Sequence, residues 1–162
     1  LDHMIAYLRA TLSASRVAPD QTHTLADEFA RLQDYLELLA IRMGPRLQFT
    51  LELPETLQLH PVPPLLLQPL VENSIQHGLE PKVEGGRIRV SARRQGELLC
   101  LEVHDSGLGL GAASSTAEGH QGFGLQQVRE RLHTAYGTQG ALKIGAASQE
   151  GTWASITFPL KT

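Results

Sequence analysis

The chain has 162 residues, enough for one domain of the commonest size and an additional segment. Its formal net charge of −3 is scattered without a basic stripe, and no run of about 18 apolar residues occurs, which disfavours nucleic-acid binding and membrane insertion. The single Cys100 excludes an internal disulfide and indicates a reducing compartment.

Two apolar stripes at helical spacing occupy the first 44 residues. The shorter one, in residues 1–12, predicts the end of a helix, and a polar stretch follows it. The longer one repeats in alternating steps of four and three over residues 25–43, which predicts a helix. Thr24 with Asp27 resembles a capping box at its start, and Gly44 would end it. The spacing fits intramolecular packing as well as a dimerisation or linker helix.

A strand and a second helix come next. Apolar residues alternate over residues 47–53, which predicts a half-buried strand. The stretch "LLLQPLVENSIQHGLEP", residues 65–81, predicts a helix with Pro69 in its first turn and Gly78 at its end. Opposite its apolar stripe lies a polar face without lysine or arginine, and an acid, two amides and an imidazole together point to chemistry. These four residues are Glu72, Asn73, Gln76 and His77.

The rest of the chain predicts two hairpins and one more helix. Residues 86–105 alternate cleanly around a turn near Gly96, as antiparallel strands with one wet face do. A helix is predicted from Gly122 to Tyr136, and residues 141–160 predict the last hairpin. The predicted fold class is α/β, a two-layer sandwich of a mixed, mostly antiparallel sheet packed on helices, with an N-terminal helical segment.

The inward phase of the first hairpin continues to Asp105, so its carboxylate should lie on the helix-covered face at the mouth of the core. Directly after it, the glycines of "SGLGLG" permit close backbone approach to a ligand. Gly122 and Gly124 in "GFGL" open the predicted third helix, where free N–H groups and the dipole favour an anion such as phosphate. The small, polar stretch between the glycine sets is a candidate lid.

These pieces together indicate a purine nucleotide site. A purine amine could donate to Asp105, and Asn73 could hold a Mg²⁺ that bridges the phosphates, since Mg²⁺ prefers oxygen ligands and keeps several waters. Taken alone, Asn73 is more often a surface amide and Asp105 a turn-initiating residue. The chain has no G-x-x-x-x-G-K-[ST] motif, so it is no P-loop protein, and "GLGLG" has the wrong spacing for a dinucleotide fingerprint.

Three motifs in this order, "QPLVENSIQHG", "DSGLG" and "GFGLQQVRERL…YG", resemble the N box and two glycine boxes of the GHKL (HATPase, Bergerat-type) ATP-binding fold. The version is that of LytS-type sensor histidine kinases. The likeness extends to "TLADEFARLQDYLELLAIRMGPRLQF" and "GTWASITFPL", so it covers nearly the whole chain. It implies the ATP-binding catalytic domain of a two-component histidine kinase, which transfers the γ-phosphoryl group of ATP.

The resemblance also implies roles for individual residues. Asn73 would bind Mg²⁺, and Asp105 would accept a hydrogen bond from the adenine amine. Glu72 sits where related ATPases use a general base, so it would assist the attack of the nucleophile. The further nucleotide-binding residues that the resemblance implies are Gly107, Gly109, Gly122, Gly124, Leu125, His77 and Thr152. Simpler alternatives stay open for two of them, because His77 fits a solvated histidine at a helix end and Thr152 an ordinary strand residue.

One departure from the family concerns the phosphoacceptor. In the family it lies in a Pro-His-Phe-type motif on a dimerisation helix, and none of the seven histidines has such a setting. We therefore expect residues 1–44 to be the tail of the dimerisation region with linker helices, and residues 45–162 to be the catalytic domain. The implied partners are the phosphoacceptor-histidine domain of the same kinase and, indirectly, a response regulator. The implied setting is a homodimer at full length and the cytoplasmic portion of a membrane-bound sensor kinase.

Two other functions remain open on the sequence alone. A GHKL-type ATPase or nucleotide-dependent switch would use Glu72 to activate water, and it would release phosphate steadily. A degenerate nucleotide-binding or purely dimerising module would need damaged motifs, whereas the boxes are intact. For Lys82, which follows the N box, we expect no site role, because it fits a solvated cation in a loop.

Overall fold

The computed structural model describes residues 22–108, 118–146 and 151–160, and of residues 118–123 the backbone alone. Three predicted features lie outside these ranges. They are the helix predicted in residues 1–12, Gly109, and the part of the candidate lid that precedes residue 118. The described helices are α1 (Leu25–Met43), α2 (Gln68–Asn73), which continues directly as a π-helix (Ser74–Leu79), and α3 (Glu118–Tyr136). The strands are β1 (Leu47–Glu52), β2 (Gly86–Gln95), β3 (Leu98–Asp105), β4 (Ala141–Ala146) and β5 (Thr152–Pro159). We call residues 68–79 the N-box helix.

The start and end signals predicted for α1 are confirmed. The Thr24 side chain accepts a hydrogen bond from the Asp27 backbone N–H at 3.3 Å, and the Thr24 N–H donates to the Asp27 carboxylate at 3.0 Å, which completes the capping box. Gly44 ends the helix with φ of 63°, a conformation that glycine adopts without strain. The buried apolar side chains of α1 are Leu25, Phe29, Leu32, Leu36, Leu39 and Met43.

The sheet is mixed, as predicted, with strand order β1-β2-β3-β5-β4. Only the β1–β2 pair is parallel; the other three pairs are antiparallel. Parallel neighbours need a crossover connection, and the N-box helix lies within the one that joins β1 to β2. The alternation predicted for the hairpin is confirmed, since Ile88, Val90 and Ala92 are buried and Arg87, Arg89 and Arg93 are exposed.

One hydrophobic core lies between the helices and the inner face of the sheet. It includes the buried stripe of α1 together with side chains of the N-box helix, α3 and the strands, so α1 is part of the same layer as the other helices. The two-layer α/β sandwich with an N-terminal helix is therefore confirmed. In the described ranges no helix is both long and apolar enough to cross a membrane.

Gly78 does not end the N-box helix, which corrects the sequence-based expectation. The helix continues to Leu79 in π form, with the Glu80 N–H donating to the Ile75 carbonyl five residues earlier at 2.8 Å. Gly78 has no positive φ, so it is no left-handed cap. The reason for a glycine at this position is a tertiary contact, described below.

The helix α3 starts at Glu118, four residues before Gly122, which also corrects the expectation. Glycine costs about 1 kcal/mol in a helix relative to alanine, which is why the pattern placed Gly122 and Gly124 at the start. Packing overrides that preference, because Val128 and Leu132 are buried in the core. As only the first four N–H groups of a helix lack intrahelical partners, those of Gly122 and Gly124 are not the free ones.

Candidate functional site

The carboxylate of Asp105 lies at the end of β3, where it is 7% exposed. Its Oδ1 accepts a hydrogen bond from the Gly107 N–H at 2.9 Å, and the carboxylate also accepts from the Ser74 hydroxyl and the Thr152 backbone N–H. Burial raises the pKa of Asp105 above its ordinary value, and these three donors oppose the rise because they favour the charged form. The result is a buried carboxylate that is well supplied with donors on the protein side.

Ser74 connects this acid to the N-box helix. Ser74 directly follows Asn73, where the α-helical part gives way to the π-helical part. The hydrogen bond between Ser74 and Asp105 therefore joins the helix that carries Asn73 to the end of β3. Such π-helical turns occur frequently at functional sites.

Two glycines let this helix approach the loop after Asp105 closely. A Cβ atom on Gly78 would lie 3.0 Å from Asp105 Oδ1, and one on Gly107 would lie 2.3 Å from the carbonyl carbon of Gly78. The Leu108 N–H donates to the Gly78 carbonyl at 3.0 Å, which fixes the loop on the helix. Gly107 thus lies beside Asp105, where the Gly78 backbone leaves no room for a side chain, whereas a side chain at position 78 would press on the Asp105 carboxylate.

A lysine supports the same loop from the other side. The Lys82 ammonium donates to the Ser106 carbonyl at 3.0 Å, and the Ser106 hydroxyl accepts from the Arg87 N–H at 2.9 Å. The sequence analysis took Lys82 for a solvated loop cation, so it did not predict this contact. It did not predict the hydrogen bond of Ser74 to Asp105 either. A signal for Ser74 existed, because it lies four residues before Gly78 and so shares its side of the helix.

Glu72 lies on the side of the N-box helix that faces α1. It accepts a hydrogen bond from the Gln68 side-chain amide at 3.3 Å. Its charge is the second cause, after burial, that raises the pKa of Tyr35 on α1. Asn73 and His77 are half-buried and Gln76 is exposed, so the four polar residues of this helix differ in their surroundings.

The remaining predicted residues lie on β5 and α3. Thr152 pairs with Asp105 across the β3–β5 ladder and reaches the carboxylate through its backbone. Gly124 and Leu125 are half-buried on α3, which packs against α2. No atom of the described part of the chain lies within 4 Å of a Cβ built on Gly124.

The oxygen donors of the N-box helix suit a hard cation. Within the described part of the chain no group of three or more His, Cys, Asp or Glu side chains could hold a metal ion by itself. The helix offers the Asn73 amide oxygen, and Mg²⁺ takes such an oxygen when phosphates and waters complete its shell. The residues present therefore fit a metal shared with a phosphorylated ligand.

Residues 64–162 match the family of histidine kinase-, DNA gyrase B-, and HSP90-like ATPases. The chain belongs to this family, and the resemblance drawn from its motifs is confirmed. It is 33% identical to the sensor histidine kinase YesM of Bacillus subtilis over 138 residues, which are 85% of this chain and 24% of that protein. It is 31% identical to the sensor histidine kinase BtsS of Escherichia coli K12 over 156 residues, 96% of this chain and 27% of that protein.

The sensor protein LytS of Enterococcus faecalis is 28% identical over an alignment of 163 positions, gaps included, which covers 96% of this chain and 27% of LytS. The chain thus spans about a quarter of the length of these relatives. Among solved structures, the catalytic domain of the histidine kinase ThkA has a TM-score of 0.66 at 16% identity, with 86% of this chain and 95% of that one covered. The histidine kinase domain of a blue-light activated kinase from Erythrobacter litoralis has a TM-score of 0.65 at 18% identity, with 98% and 74% covered. These two similarities show the fold.

Proposed function

We propose that this chain is the ATP-binding catalytic domain of a two-component sensor histidine kinase, and that it transfers the γ-phosphoryl group of ATP to a histidine outside residues 1–162. The observation that carries the proposal is the contact of buried Asp105 with Ser74 and Gly78 of the N-box helix. It sets the acid that would recognise the purine beside the helix that carries Asn73. Family membership and the sensor histidine kinases among the relatives support it better than they support a free-standing ATPase.

Asp105 would recognise adenine through its amine. The carboxylate is fixed by three protein donors, and an acceptor held in this way accepts a further hydrogen bond without reorganising. Guanine presents a carbonyl at the position of the adenine amine, and two acceptors that face each other without a proton are costly. The site would therefore prefer ATP to GTP.

Asn73 would hold Mg²⁺ together with the phosphates, with Glu72 near it on the same helix. The metal supplies neutralisation of charge on the phosphates. Phosphoryl transfer requires mainly alignment and such neutralisation, so the chain's own task is to fix the nucleotide and to admit the acceptor imidazole. Glu72 would accept the proton of that imidazole as it attacks.

The other assignments belong to the same proposal. Gly107 and Gly109 would shape the adenine pocket, while His77 and Thr152 would lie near the nucleotide. Gly122, Gly124 and Leu125 would border the phosphates from α3. The acceptor histidine would come from the dimerisation region of the same kinase, and it would pass the phosphoryl group to a response regulator. The full-length kinase would be a membrane-bound homodimer with this part in the cytoplasm. Residues 1–44 would be the tail of the dimerisation region and residues 45–162 the catalytic domain.

Calorimetric titration with ATP and Mg²⁺ tests the proposal. Asp105→Asn should weaken binding on the order of tenfold or more, because a hydrogen bond to a charged group is lost. Asn73→Ala should remove the gain in affinity that Mg²⁺ gives to the wild type. The matched controls are Asp34→Asn and Gln33→Ala, since both wild-type residues are exposed on α1.

Two outcomes would contradict this proposal. Equal affinity in the wild type, Asp105→Asn and Asn73→Ala would show that the nucleotide binds elsewhere, and no binding by the wild type would remove the site altogether. Steady release of phosphate by the chain alone would favour the ATPase, in which water replaces the imidazole.

A further inference from the structure

We propose that α1 and the short turn after it position the nucleotide site by holding the N-box helix at both ends, through Glu28 at its start and Arg46 beyond its end. This inference rests on the proposed function, because it concerns the same site. Both residues lie in the stretch "TLADEFARLQDYLELLAIRMGPRLQF", to which the family likeness extends, but outside the three boxes to which that likeness assigns the nucleotide. Both act through the helix and are positioning residues.

The start of the N-box helix is held by a buried carboxylate of α1. Glu28 is 2% exposed, its Oε2 accepts from the Leu67 N–H at 2.8 Å, and its Oε1 accepts from the Leu65 N–H at 3.2 Å. Leu67 is the N-cap residue, and its own side chain makes no capping hydrogen bond. Glu28 therefore supplies from another helix the acceptor and the negative charge that a helix start favours. His23 Nε2 lies 2.8 Å from Glu28 Oε1 and is a further hydrogen-bond partner of this carboxylate.

The far end is held by a guanidinium directly after α1. Arg46 Nη2 donates to the carbonyls of Glu80 at 3.0 Å and Lys82 at 2.9 Å, and its Nε donates to the Val83 carbonyl at 3.1 Å. Arg42, in the last turn of α1, pairs with the Glu80 side chain. A planar fork with several donors holds such carbonyls in one geometry, which the single ammonium of lysine does not.

The residues that touch Asp105 lie between these two held ends. Ser74 donates to the carboxylate and Gly78 lies against it, while Lys82, whose carbonyl Arg46 holds, reaches the Ser106 carbonyl next to Asp105. A shift of α1 would therefore move the N-box helix relative to β3. The distance between Asn73 and Asp105 is in this way set by α1 and the turn after it, which carry none of the residues assigned to the nucleotide.

Arg46→Lys is the decisive variant, because Arg46 is only half-buried and its loss leaves the core intact. We expect faster amide hydrogen exchange in residues 74–86 of the ligand-free protein and a loss of ADP affinity on the order of tenfold. The matched control is Arg89→Lys, which alters an exposed ion pair with Glu52 and should change neither reading. Glu28→Gln should speed amide hydrogen exchange at residues 65–71 and lower the affinity for ADP. Its matched control is Glu52→Gln, which should change neither.

The readings separate positioning from stability. A purely structural Arg46 would lower the unfolding midpoint of Arg46→Lys while ADP affinity, measured well below that midpoint, stayed at the wild-type value; that result overturns the inference. If the wild type bound no adenine nucleotide, the proposed function itself would fail, although the exchange difference of Arg46→Lys would still be seen. Loss of ADP affinity in Arg46→Lys, with both control variants unchanged, supports the inference.

Discussion

Gly78 and Asp105 touch so closely that a Cβ atom on residue 78 would stand 3.0 Å from Oδ1 of the carboxylate. This separation is shorter than most contacts that a real Cβ atom makes, so any side chain at position 78 must displace the carboxylate by a few tenths of an ångström. The glycine is therefore explained by the acid it faces. Its place in a helix, where glycine is unfavourable, agrees with such a tertiary requirement.

Gly78→Ala should weaken adenine nucleotide binding with little change in stability. The gain in helix propensity, about 1 kcal/mol, offsets part of the strain from the tight contact. Calorimetry with ADP and thermal unfolding measure the two effects. Gly140→Ala is the matched control, because its Cβ would lie at a similar 3.3 Å from Leu132 and Tyr136, outside the site. Unchanged ADP affinity in Gly78→Ala would show that the position of the carboxylate is unimportant for the ligand.

The raised pKa of Asp105 predicts a pH dependence with opposite signs for binding and stability. The adenine amine donates to the ionised carboxylate, so affinity should be full above the folded-state pKa and lost as pH falls through it, at a pH above the ordinary 3.8. Because the folded state holds the proton more tightly than the unfolded chain, this group's contribution to stability should decrease as pH rises from the unfolded pKa to the folded one.

Titrations of ADP affinity and urea unfolding against pH, with Asp105→Asn as the comparison, measure both effects. The variant should lack the transition in affinity, since it carries no ionisable group at this position. A wild-type transition that persists in Asp105→Asn would assign it to another residue.

Glu72→Gln should separate binding from chemistry. The amide keeps an oxygen for the hydrogen bond with Gln68, so the helix and the affinity for ATP should stay as in the wild type. Loss of the base should slow phosphoryl transfer to an added phosphoacceptor domain by roughly a hundredfold or more. Radiolabel transfer from ATP measures it, with Glu37→Gln on the exposed side of α1 as the control. A wild-type transfer rate in Glu72→Gln would exclude a role as base.

Gly124→Ala should stabilise the fold and weaken binding of ATP. The position is helical and no atom of residues 22–108, 124–146 or 151–160 lies within 4 Å of the new Cβ, so the gain should be about 1 kcal/mol. Gly145→Ala gives the contrast, because its Cβ would lie 2.4 Å from the Trp153 ring and should destabilise. Thermal unfolding and ATP titration measure the two parts. If stability rises while ATP affinity does not fall, Gly124 does not border the phosphates.

The sequence predicted those features that depend on local period and chain order. The heptad spacing of residues 25–43 and the Thr24 box define α1 by themselves, and the alternation from Ile88 to Asp105 places the acid on the buried face. Burial follows from such periods because a helix or strand can turn only one side to the core. The three ordered motifs also indicated the ATPase family to which the chain belongs.

Features that depend on contacts between distant segments could not be predicted from the sequence. The π-helical turn changes the helical period over only six residues, Ser74–Leu79, and Gly78 looked like a helix stop because its contact lies 27 residues away at Asp105. The start of α3 was misplaced since propensity favoured Gly122 and packing decided otherwise. No local sequence pattern signals the hydrogen bonds that Glu28 and Arg46 make to distant backbone groups.

The burial of α1 has a practical consequence for trimming the chain. A piece that began at residue 45, or at residue 64 where the family match starts, would keep all three motifs. It would lose six buried apolar side chains from α1. At about 1.5–3 kcal/mol each, this loss is comparable to the whole net stability of a domain, about 5–15 kcal/mol. Although residues 45–162 hold every residue assigned to the nucleotide, we expect such shortened pieces to be much less stable, so material for crystallisation or inhibitor screening should retain residues 22–44.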